Sequence, residues 1–94
     1  MFAQDDDQII DAAMARALHA DACRDHALVA WVVMWDDPAY PARFIARLVT
    51  TGPLPYLLIG NTLAEVQEQL LPGLHRTERQ PMHPPEVVEI WFAG

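Results

Sequence analysis

The eight residues Leu28-Val29-Ala30-Trp31-Val32-Val33-Met34-Trp35 constrain this chain more than any other stretch. They are β-branched, aromatic and aliphatic, and both alternating sets are apolar. Such a run predicts a central strand buried on two faces. Asp36-Asp37-Pro38-Ala39-Tyr40-Pro41 then breaks it. Paired acids can share a proton or hold a cation, but Asp before Pro is ordinary turn chemistry, and the turn is the reading adopted. Arg43 to Val49 alternates, with Phe44, Ala46 and Leu48 on one side and Arg43, Ile45, Arg47 and Val49 on the other. A turn at Thr50-Thr51-Gly52-Pro53 leads to a third strand, Pro55 to Ile59, with Pro55 tolerated at its start. The short connections predict an antiparallel meander.

Helical patterns flank this meander. Asp7 to about Cys23 reads as a helix, with Asp5, Asp6 and Asp7 as capping acids and Ile10, Met14, Ala17 and Leu18 as its apolar stripe. Asn61 or Thr62 caps a second helix, and Thr62 with Glu65 fits a capping box. Leu63, Val66, Leu70 and Leu71 supply its buried side, and Pro72-Gly73 stops it. Leu74 to Pro85 reads as a loop and Val87 to Phe92 as the last strand. The expectation is a single α+β domain over residues 1–94, in the order α-β-β-β-α-β. Its four-stranded mixed sheet, counted in chain order, runs 3-2-1-4. Both helices cover one face, and the last strand lies parallel to the first and third.

Two helices on one face leave the other face open. Arg43, Ile45 and Arg47 belong to the open set, and Glu89 assigns Trp91 to it by the same logic. The parity of the first strand is ambiguous, so Trp31 and Trp35 join the set as candidates. Aromatics and Arg are typical anchors of protein interfaces. The leading expectation is therefore a non-enzymatic assembly module, homodimeric through Trp31, Trp35, Arg43, Ile45, Arg47, Glu89 and Trp91. Burial of that face by the first helix or by Pro81–Pro85 is the competing outcome. A second reading makes Arg43 and Arg47 contacts for a small anionic ligand. A third makes the chain an acidic inhibitor of a basic site on another protein.

Composition narrows the field. Of the 94 residues, 52% are hydrophobic and 20% charged, enough apolar content for a packed core. The net charge of −7 disfavours nucleic acid, whose binding needs cations. All six bases are Arg, which reads as a high-GC bacterial genome. A single cysteine, Cys23, excludes an internal disulfide. The acidic start is unlike a signal peptide, and the longest apolar run, Ala27 to Trp35, is too short to span a bilayer. A cytoplasmic protein without membrane contact is expected. The chain has no Ser and no Gly-rich phosphate loop. His19, Cys23 and His26 are zinc-compatible ligand types, yet their spacing fits no standard module and needs a fourth ligand. No metal, cofactor or catalytic set is predicted. His75, Arg76, Glu78, Arg79 and His83 read as a solvated connector.

The stretch Tyr56-Leu57-Leu58-Ile59-Gly60-Asn61-Thr62-Leu63-Ala64-Glu65-Val66 resembles the strand–turn–helix joint of HicB-like antitoxin domains, where a Gly-Asp-Thr-Leu-type turn opens the helix after a three-stranded meander. The resemblance covers about a dozen residues. The chain adds a helix at its start, lacks that family's Leu-Pro-Gly-containing strand and carries no appended DNA-binding segment. The resemblance implies a protein-binding or assembly role. The whole chain also resembles small proteins of high-GC bacteria.

Overall fold

The computed structural model describes residues 7–78 and 85–93. Their elements are β1 (Gln8–Ile9), α1 (Ala12–Asp25), β2 (Val29–Asp37), β3 (Tyr40–Val49), β4 (Pro53–Gly60), α2 (Leu63–Gln69), β5 (His75–Glu78) and β6 (Val87–Ala93). They build an α+β fold around one mixed sheet in the order β1-β4-β3-β2-β6-β5. The sheet has six strands rather than four, so its order differs from the expected one. The two additions are short edge strands flanking the long strands β4-β3-β2-β6. Among the described residues no helix is long and apolar enough to cross a membrane.

Both additions have a local cause. Gln8 and Ile9 pair in parallel with Tyr56 and Leu57, so the chain is extended where a helix was expected. α1 starts only at Ala12, because Asp11 is its N-cap: the carboxylate accepts the Met14 N–H at 2.8 Å. Asp5 and Asp6 lie outside the described residues. At the other edge, His75–Glu78 forms a strand where a loop was expected. The crossover through α2 therefore delivers β5, not β6, in the direction of β2 and β4. The β5–β6 hairpin then reverses the chain, so β6 is antiparallel to β2, against expectation.

The central turns follow their residue chemistry. Pro38 and Ala39 link Asp37 to Tyr40, and the Asp37 carboxylate accepts the Ala39 N–H at 2.9 Å. Asp36 adopts a left-handed backbone (φ 58°), and its carboxylate accepts the Ala42 N–H at 2.7 Å. At α2, Thr62 accepts the Glu65 N–H, while the Glu65 carboxylate reaches back to the Asn61 N–H. Gly60 permits this tight joint. A Cβ there would meet Glu65 Cβ at 2.9 Å.

The sheet is buried on both faces. On the helix side, Ala15 of α1 and Val66 and Leu70 of α2 pack with Val29, Trp31, Val33, Ala46, Leu48 and Leu58. On the other side, Met34, Ile45, Leu57 and Val87 form a second cluster, none more than 4% exposed. The face expected to be open is thus closed within one chain. Arg47 lies at its centre, opposite Val32 and Leu57. Its guanidinium donates to both carboxylate oxygens of Asp7, at 2.9 and 2.8 Å, and to the Leu54 carbonyl at 2.8 Å. The Tyr40 hydroxyl donates to Asp7 at 3.0 Å. Asp7 immediately precedes β1, so this bond draws the chain across β4 onto the second face.

The Arg47 and Asp7 side chains are 1% and 6% exposed. Removing one partner from such a pair strands the other charge away from water. Replacing Arg47 with Met is expected to cost about 3–5 kcal/mol in urea unfolding. The double variant Arg47→Met/Asp7→Asn is expected to recover a substantial part of that loss. Equal stability of the wild type and the single variant would contradict the assignment.

Candidate functional site

The anchors expected to share one free face are divided between the two faces of the sheet, and Trp31, Ile45, Arg47 and Glu89 among them are buried. Trp31 lies opposite Leu48 and Trp91, and both Trp residues pack into the helix-side core. Glu89 is on that side too, 2% exposed. Its carboxylate accepts from Gln67 at 2.8 Å, Trp91 at 2.9 Å and Arg76 at 3.1 Å. Burial pushes the Glu89 carboxyl up, but the bonds from Gln67, Trp91 and Arg76 outweigh it and hold the group below its usual range. A charge with three donors can enter a core, so its presence did not mark an open face. Trp35 stays 41% exposed and stacks at a tilt on Phe44, ring centres 4.5 Å apart. Ile45 and Arg47 are buried on the second face, while Arg43 is exposed. The anion site built on Arg43 and Arg47 is not assembled, because Asp7 already occupies the Arg47 fork.

Residues with catalytic or ligating chemistry are largely committed to internal bonds. His19 is buried under α1, where Nδ1 accepts the Trp31 indole N–H at 3.1 Å and Nε2 stands 3.5 Å from Cys23 Sγ. His26 instead forms the C-cap of α1. Among the described residues no three His, Cys, Asp or Glu side chains are placed to hold one metal ion. Asp36 and Asp37 serve the β2–β3 turn. His75 packs on Phe92, and Arg76 bonds Glu89. Arg79 and His83 lie outside the described residues.

Among the described residues, a surface recess lies elsewhere, along α1. Ala15 and His19 are the buried residues of this helix, and the small side chains around them let it approach the sheet. Met14 and Ala17, expected in its buried stripe, are exposed instead, Met14 by 50%. Between α1 and the sheet edge is a hollow of about 470 Å³, lined by Gln8, Ile9, Ile10, Asp11, Met14, Leu18 and Tyr56. A second hollow of about 190 Å³ meets it at Leu18 and Tyr56 and reaches Asp21, Asp25 and His26. Together they form a groove with an apolar floor beside an edge strand, acidic at both ends. Reading the sequence for helix period missed it. The spacing of Ala15, His19 and Ala22 carried the signal that α1 docks on small residues and leaves Met14 to one side.

Compared with protein-family profiles, curated proteins and solved structures, the chain matches none.

His19 gives this region a pH dependence. Because Nδ1 accepts from Trp31, the ring proton sits on Nε2, and a second proton would face the indole N–H. Burial lowers the His19 pKa from its ordinary value of about 6.5. The unfolded chain therefore takes up the proton first, and stability declines as pH falls below about 6.5. A His19→Gln variant is expected to flatten the stability–pH curve just below that value. It should leave unchanged the loss at lower pH that follows protonation of Glu89, whose carboxyl is held below its usual range in the fold. An unchanged slope in the variant would contradict this role.

Proposed function

We propose that this protein is a non-enzymatic interaction module that docks a partner protein in the groove between α1 and the β1–β4 edge. The observation that carries the reading is the half-exposed Met14 beside Leu18 and Tyr56 over a hollow of about 470 Å³. Apolar side chains left at a surface recess mark a place where another surface gains by covering them. Ile9, 58% exposed, extends the apolar character to the strand at the sheet edge. Edge strands also favour association, since their outer backbone groups are free to pair with an added chain. The chemistry a reaction would need points the same way: Asp7, His19, Arg47 and Glu89 are engaged inside the fold. Of the Trp and Arg face expected for self-association, Trp31, Ile45, Arg47 and Glu89 offer almost no surface, while Trp35 and Arg43 remain exposed, so the groove is the preferred reading.

Selection from a random peptide library on the wild-type chain tests the reading. Selected peptides are expected to shift the amide resonances of Met14, Leu18 and Tyr56. On the Met14→Gln variant they should lose about tenfold in affinity, the effect of truncating one anchor by roughly 1.4 kcal/mol. Peptides that bind the variant as tightly as the wild type would overturn it.

A further inference from the structure

The groove has a chemical polarity that its apolar floor alone does not express. Asp11 lines one end, and Asp21 and Asp25 line the other, with Leu18 and Tyr56 between them. Arg24 bonds Asp21, so the acids a partner meets are chiefly Asp11 and Asp25, both exposed. The whole chain adds to this field, with thirteen acids against six bases. Asp11 and Asp25 stand fourteen positions apart along α1, a rise of about 21 Å. An extended chain covers that length in about six residues.

We infer that the groove takes a partner segment with a large apolar side chain at its centre and a Lys or Arg at each end, about six positions apart. This rests on the reading of the groove as a docking site and names its occupant. The apolar side chain covers Met14, Leu18 and Tyr56, and the two cations face Asp11 and Asp25. A second copy of this chain is disfavoured, since it brings another −7 to the same acidic surface. Charge complementarity of this kind selects partners and accelerates encounter more than it adds affinity, and salt screens it.

The test uses three short synthetic peptides with one shared apolar centre and with Arg, Gln or Glu at the two flanking positions. Binding is read by fluorescence anisotropy at about 50 mM and about 300 mM salt, across one Debye-length change of about twofold. The Arg peptide is expected to bind about tenfold tighter than the Gln peptide at low salt, and the Glu peptide weakest. The Arg advantage should shrink at high salt and in the variant Asp11→Asn/Asp25→Asn. Asn retains the N-cap oxygen, so that variant keeps α1 intact. Met14→Gln should weaken the Arg and Gln peptides alike.

Equal binding of the Arg and Gln peptides, both weakened by Met14→Gln, overturns the charge assignment and leaves the docking reading standing. Indifference of every peptide to Met14→Gln overturns both. An Arg advantage that persists at high salt or in the Asn variant also overturns the assignment. So does a dimer, seen by light scattering, whose formation blocks the Arg peptide.

Discussion

The bidentate pair between Arg47 and Asp7 is the constraint on which the rest of the structure depends. Arg47 sits near the C-terminal end of β3, buried on the face away from both helices, where an unpaired guanidinium would be very costly. Its partner comes from forty positions earlier in the chain. To deliver that carboxylate, the backbone before α1 must run alongside β4. It does so as β1, two residues long, anchored by the register of Gln8 and Ile9 with Tyr56 and Leu57. The ion pair thus holds the chain at the sheet edge as β1, and the Asp11 cap then starts α1. The pair also contributes to closing the second face, along with Tyr40, whose hydroxyl is held above its ordinary pKa by burial and by its bond to Asp7.

That closure decides what the surface offers. With the second cluster around Met34, Ile45 and Leu57 buried, apolar surface persists at the periphery: Ile9, Met14, Leu28 and Trp35. Two of these four border the same hollow beside α1. The helix itself is shallowly seated, with two buried residues in fourteen and an imidazole–indole hydrogen bond tying it to β2. A shallow helix next to a short edge strand leaves a groove by geometry. The acids that cap and follow that helix give the groove its charge.

Much of this was legible in the sequence. The doubly apolar run around Trp31, the alternation of Phe44, Ala46 and Leu48 against Ile45 and Arg47, and the Thr62–Glu65 cap express local periodicity and local hydrogen bonding. These depend on neighbours within a few positions. What escaped depends on distant partners. Asp7 looked like a capping acid because nothing nearby announces Arg47. Glu89 looked like a marker of solvent, because Gln67 and Arg76, two of its three donors, come from α2 and β5. His75–Glu78 was too short and polar to read as a strand, and its pairing with β6 supplies the reason it is one. The groove followed the same rule. Met14 fits a helical apolar period, and only the seating of Ala15 and His19 shows that it faces outward.

The central claim is that both sheet faces are closed within one chain and that, among the described residues, Ile9 and Met14 leave accessible apolar surface at the α1–β1 edge. Methyl relaxation in the presence of a neutral, soluble paramagnetic probe measures this directly. The account predicts strong broadening of the Ile9 and Met14 methyl groups, which are 58% and 50% exposed, and protection of Met34, Ile45 and Leu57, none above 2%. Broadening of Met34 and Ile45 to the extent seen for Ile9 would mean that the second face is open, and the account would fail.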